Sequence, residues 1–166
     1  MIILGIDPGF AIVGWAVIES YRGGTRPLAF GAIRTPAHTD LEARLLMIEE
    51  DLKTVIDKYK PDEMAIEELF FNTNITTAIA VAEARGVILL TAHKMGLKIA
   101  EYTPLQVKQA VVGYGKAEKK QVIAMVTSIL KLPAPPKPDD TADAVAIALC
   151  HSQCAGSAIG KYFNKR

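Results

Sequence analysis

Apolar residues fall in short strand-like blocks over the first third of the chain, then switch to a helical period. Ile2–Asp7 and Ile12–Glu19 are β-rich and parted by a Pro8-Gly9 turn, and Gly23-Gly24 marks a second turn before Leu28–Arg34. Connections this short predict three antiparallel strands. From Leu41 the period changes: Leu41, Leu45, Ile48, Leu52, Val55, Ile56 and Tyr59 share one helical stripe. Thr39 and Glu42 read as its capping box, and Pro61 stops it. Next come a short strand, Glu63–Glu67, an alanine-rich helix from about Thr76 to Lys94 closed by Gly96, and a strand, Lys98–Tyr102. Thr103-Pro104 is an N-cap and first-turn pair for a helix reaching about Val112. After Gly113-Tyr114-Gly115, about Ala117–Leu130 forms an amphipathic helix with Val122, Met125, Val126, Ile129 and Leu130 inward. A proline-rich connector leads to a last helix near Asp139. The fold class is therefore α/β: a five-stranded mixed sheet, three antiparallel strands then two more, flanked by helices.

At 166 residues, half of them hydrophobic, the chain suits one domain. We place that domain at 1–152, followed by a basic, disordered tail at 153–166. No apolar run approaches the roughly 20 residues of a membrane span, and the N-terminus has no basic leader region. A cytoplasmic protein with no membrane partner is expected. Cys150 and Cys154 lack further ligands to complete a zinc site and read as free thiols. Net charge is only +1 but unevenly placed. Residues 38–68 hold ten acids against four bases, whereas 94–137 hold eight lysines against two acids. That asymmetry fits either a basic face for a polyanion or two solvated helix surfaces.

Four acids change the picture. Asp7 ends an apolar strand, Glu67 ends another, and Asp140 and Asp143 open a nearly all-apolar helix. Uncompensated carboxylates are costly at such places, and hard divalent cations prefer carboxylate oxygens. Singly, each acid has a plain structural reading: Asp7 as a turn residue, Glu67 as a strand-end acid beside Glu68, Asp140 and Asp143 as helix-start acids suiting the dipole. Asp139 is read as a cap. Together they lie where an open sheet places ligands.

The blocks Ile3-Leu4-Gly5-Ile6-Asp7-Pro8-Gly9, Ala65-Ile66-Glu67-Glu68-Leu69-Phe70, Gln106-Val107-Lys108-Gln109-Ala110-Val111-Val112-Gly113-Tyr114-Gly115 with Ala117-Glu118-Lys119, and Asp140-Thr141-Ala142-Asp143-Ala144-Val145-Ala146-Ile147-Ala148 stand in the order of the RuvC family. The chain resembles those bacterial Holliday-junction resolvases from residue 1 to about 151, and its last 15 residues carry no part of the likeness. The resemblance implies a ribonuclease-H-like fold, a homodimer, Mg²⁺-dependent cutting of a four-way DNA junction in recombination and repair, and the RuvA/RuvB branch-migration complex as partner. It assigns Asp7, Glu67, Asp140 and Asp143 as catalytic, metal-binding acids, places Lys108 and Lys119 toward the scissile region, and sets Phe70 against bases at the junction.

The chemistry agrees with that assignment. Hydrolysis needs an activated water and stabilisation of the leaving 3′ oxygen, and two ions about 4 Å apart supply both; Mn²⁺ can replace Mg²⁺. A nearby lysine offsets developing charge. Lys108, Lys116, Lys119, Lys120 and Lys137 read as a phosphate-contacting set, although each alone is an ordinary surface lysine. Phe70 is the stacking candidate and Phe71 is as readily core. No nucleophile triad is evident, and His151 reads as a helix-end cation. Three alternatives stay open: a RuvX-like nuclease acting on RNA, an actin-like or sugar-kinase lobe, and a junction-binding protein without catalysis.

Overall fold

β1 (Ile2–Asp7) pairs antiparallel with β2 (Ile12–Tyr21), and β2 with β3 (Gly24–Arg34), as the short turns predict. The computed structural model describes residues 1–69 and 75–155. α1 (Leu41–Tyr59) then crosses to β4 (Glu63–Glu67), which lies parallel to β1. α2 (Ile75–Lys94) crosses again to β5 (Lys98–Tyr102), parallel to β4. α3 (Pro104–Val112), α4 (Lys119–Ile129) and α5 (Asp139–Cys154) close the chain. The sheet order is β3-β2-β1-β4-β5, the mixed five-stranded sheet expected.

Alternation along the strands divides the core. Leu4, Ile6, Val13, Val17, Met64 and Ile66 face α1 and α2, while Ile3, Ala16, Ile18, Ala65 and Ala100 face α5 with α3 and α4 outside it. α5 is buried along nearly its whole length because helices cover its outer side. Two glycines admit it. A Cβ on Gly5 would stand 2.3 Å from the Ala144 carbonyl oxygen, and one on Gly14 would stand 2.0 Å from that of Asp140. The first turns of α5 thus lie directly on β1 and β2.

Several boundaries differ from expectation. Asp40, not Thr39, is the N-cap of α1, and no side chain caps it. The 39/42 spacing was therefore coincidental, and the helix is held by its buried stripe instead. α4 starts at Lys119, because the Glu118 N–H is taken by Gln121. Pro138 is the N-cap of α5, so Asp139 sits in the first turn and is not the cap. α5 ends at Cys154, which packs on the core. Neither cysteine is in a disulfide, and Cys150 is buried.

His151 departs most from its expected role as a helix-end cation. It is buried between Tyr102, whose hydroxyl lies 2.8 Å from Nδ1, and Glu63, whose carboxylate lies 2.7 Å from Nε2. A carboxylate only accepts, so in the neutral ring Nε2–H donates to Glu63 and Nδ1 is left to accept from the Tyr102 hydroxyl. The chain of hydrogen bonds ties β5 and β4 to the C-terminal end of α5. His151→Leu removes both hydrogen bonds that the ring makes between Tyr102 and Glu63 and is expected to lower stability by about 1–2 kcal/mol, read as a lower urea midpoint. Tyr102→Phe, which removes the hydroxyl itself, should cost less.

Candidate active site

Three elements deliver the acids to one end of the sheet. Asp7 ends β1, Glu67 ends the parallel neighbour β4, and the first turns of α5 set Asp140 and Asp143 over them through the glycine contacts. These are the carboxyl ends of adjacent parallel strands, the place where an open α/β sheet binds ligands.

The four carboxylates feel one another. The Asp7 carboxyl is pushed up to about 8, first by burial and then by Asp143, Glu67 and Asp140. Glu67 is pushed up to about 7 by burial and by Asp143, against the pull of Lys108 and Lys119. Asp143 is only half-buried and has a counterion: Lys119 Nζ stands 2.8 Å from its Oδ2 and 3.7 Å from Asp139. Among the described residues, no three His, Cys, Asp or Glu side chains are gathered into a ready-made ion cage. The donor set nevertheless fits a divalent cation. It is all carboxylate oxygen, and its cost in repulsion and desolvation is the kind a bound cation reverses.

The sign of the pH dependence follows. Asp7 and Glu67 hold their protons in the folded chain to higher pH than in the unfolded one. The folded state therefore binds more protons between about pH 4 and pH 8, and stability falls as pH rises through that window. The melting temperature of the metal-free protein, measured at a series of pH values, should drop toward pH 8. Asp7→Asn should flatten that drop and raise the melting temperature at pH 8. Divalent-ion affinity should rise over the same window, because binding must displace the protons.

Lys108, Lys119, Glu67 and Asp143 line a cleft of about 210 Å³, together with Pro104, Val107, Val122 and Ala146. Lys116 and Lys120 are exposed nearby at the start of α4, where Lys120 pairs with Glu118. Lys137 is exposed just before α5. Phe70 and Phe71 lie outside the described residues.

Two arginines that the sequence did not single out hold the acid-bearing strand ends. Arg85 on α2 donates to the Glu67 carbonyl at 3.4 Å and pairs with Glu101 on β5. Arg44 on α1 lies 3.7 Å over the Phe10 ring and donates at 2.9 Å to Thr35 Oγ1. The Thr35 hydroxyl in turn donates at 2.7 Å to the Phe10 carbonyl, clamping the loop that follows Asp7. Neither arginine stands in a motif, so only its position on the helix face could have pointed to it.

Residues 3–151 match the family model described as crossover junction endodeoxyribonuclease RuvC. A protein of that name from Heliobacterium modesticaldum is 57% identical over 157 residues, covering 95% of each chain. The Thermus thermophilus RuvC structure superposes with a TM-score of 0.86 at 35% identity, over 93% of this chain and 95% of that one. The T. thermophilus RuvC in complex with Holliday junction substrate gives 0.87 at 32% identity, over 96% and 98%.

Proposed function

The chain belongs to the RuvC family of crossover junction endodeoxyribonucleases, hydrolases of DNA phosphodiester bonds that resolve Holliday junctions, and from that premise we propose that Asp7, Glu67, Asp140 and Asp143 are its catalytic, metal-binding acids. The observation that carries the assignment is the pair of carboxyls at adjacent strand ends, Asp7 and Glu67, each driven up first by burial and then by Asp143, with Lys119 pulling both back. Family membership favours DNA over the RNA-acting and actin-like alternatives, and an enzyme over a passive binder.

Mg²⁺, as two ions with Mn²⁺ able to substitute, is the proposed cofactor. When bound it lowers the pKa of an attacking water and offsets charge on the leaving 3′ oxygen. The chain's own residues do the remainder. β1, β4 and α5 hold the carboxylates in fixed relation. Lys119 neutralises Asp143 and stands in the cleft where negative charge develops. Lys108 lines the same cleft and lowers the Glu67 carboxyl, and Lys116 and Lys120, exposed in the neighbouring loop and helix, would take backbone phosphates. Phe70 follows Glu67 closely in sequence and is our candidate for stacking on an unpaired base at the crossover.

We further propose a homodimer through α2, a cytoplasmic location, and cooperation with the RuvA/RuvB branch-migration complex. Residues 1–152 would constitute the nuclease domain and 153–166 a basic tail. Among the described residues no helix is long and apolar enough to cross a membrane.

The direct test is to incubate the purified protein with a synthetic mobile four-way junction, with and without Mg²⁺, and map the cuts. Symmetric paired nicks that need the ion support the reading, and cuts on RNA alone would reject it. Lysine roles separate by salt titration. Lys108→Ala and Lys119→Ala should each weaken binding and lower the salt slope by about one if the side chain contacts a phosphate. A loss of rate at unchanged affinity would instead mark transition-state stabilisation. Lys53→Ala on α1 serves as the unaffected control.

A further inference from the structure

The loop between α3 and α4 carries an aromatic ring that neither the core nor the acid cluster uses. Gly113 ends α3 in the left-handed region, with φ of 92°. The chain then doubles back so that Gly115 lies on Leu105, where an added Cβ would meet Leu105 Cδ1 at 2.5 Å. Leu105 directly follows Pro104, which lines the acid cleft. On its other side Tyr114 is anchored: its hydroxyl donates to Gln121 Oε1 at 2.8 Å, and the same oxygen accepts the Glu118 N–H at 2.8 Å. Gln121 lies in the first turn of α4, two residues beyond Lys119, whose ammonium pairs with Asp143.

The ring is therefore fixed at its hydroxyl beside the cleft, yet Tyr114 remains 45% exposed and Leu105 60% exposed. A tethered side chain has already lost the rotamer freedom that binding would otherwise cost. The loop and the two helices it joins carry Lys108, Lys116, Lys119 and Lys120, the last three exposed. A held π face among ammonium groups, next to a cleft for phosphodiester chemistry, has the two features single strands require. The lysines take phosphates, and the ring takes a base whatever its identity.

We propose that Tyr114, flanked by Leu105, is a stacking platform for a nucleobase of the junction strand entering the cleft, and so sets the register of the scissile phosphate against the acids. The proposal rests on the nuclease reading above and adds to it a contact outside the acid cluster and apart from Phe70.

The test uses full-length wild type, Tyr114→Phe and Tyr114→Ala with four-way junctions carrying 2-aminopurine at successive positions around the crossover, in metal-free buffer. Wild type and Tyr114→Phe should change the fluorescence of the same positions, since the ring is kept, and Tyr114→Phe should bind slightly more weakly because the hydroxyl tether is lost. Tyr114→Ala should lose the change at one position and bind about tenfold more weakly, with an unchanged salt slope because no phosphate contact is lost. Three results would each overturn the platform: Tyr114→Ala binding within twofold of wild type, Tyr114→Phe as impaired as Tyr114→Ala, or a shallower slope showing that the loop lysines had moved. Should Tyr114→Ala fail to fold, wild type still decides, because no fluorescence change at any position overturns the proposal. Wild type that binds no four-way junction would overturn the nuclease reading and this proposal with it.

Discussion

Asp7→Asn, Glu67→Gln and Asp143→Asn will each reduce junction cleavage by more than about 10²-fold, the scale on which losing one fixed electrostatic group acts, while junction affinity stays level or rises. Each substitution keeps shape and removes the negative charge that the side chain carries when ionised. Asp7 is partly buried where β1 meets α5, and an amide of the same shape there should leave the sheet and helix contacts unchanged. Asp143→Asn also releases Lys119 from its ion pair, freeing an ammonium group to face a phosphate. Removing repulsion toward a polyanion explains why binding should not fall. Single-turnover cleavage at saturating Mg²⁺, beside equilibrium binding in its absence, separates the two effects. A variant that still cuts at near wild-type rate takes its residue out of the active site.

Ala82→Glu is expected to abolish assembly. On α2, Ala84, Ile88 and Ala92 are buried against the sheet and α1, while Ile79, Ala82, Gly86 and Leu90 form an exposed stripe at helical spacing. Ile79 is 56% exposed and Leu90 52%. A helix apolar on both sides needs a partner for the second. A four-way junction has near two-fold symmetry and needs two cuts, which an isologous pair of chains presents together. Wild type should scatter light as twice the 18.0 kDa chain, about 36 kDa. A glutamate in the middle of the stripe would bury two unpaired charges across the two-fold axis. The variant should therefore be monomeric, bind junctions at least tenfold more weakly, and lose coordination between its two nicks. Wild type that is monomeric yet makes paired cuts in one binding event would reject both the dimer and the mechanism built on it.

The sheet was legible because its signals are local. Turn residues at Pro8-Gly9 and Gly23-Gly24 and the switch to a helical stripe at Leu41 record pairing and burial within a few positions of themselves. The four acids were legible as charges at apolar strand and helix ends. What stayed hidden depends on partners far along the chain. His151 looked like a terminal cation because Tyr102 and Glu63, its buried partners, are distant in sequence. Gly14 looked like any strand glycine, since the Asp140 carbonyl that forbids a side chain there comes from the last helix. The Arg44 clamp on Phe10 and the shared use of Gln121 by Tyr114 and Glu118 are equally silent in composition.

The glycine contacts of α5 have a bearing on how this protein is made. Asp7 is synthesised well before Asp143, and the two meet only when α5 settles onto β1 and β2. Pairing across that separation closes late, after local elements have formed. A chain ending before α5 would carry Asp7 and Glu67 but neither Asp140 nor Asp143. Cutting ability is therefore expected to arise only once α5 has been made and has docked on the sheet.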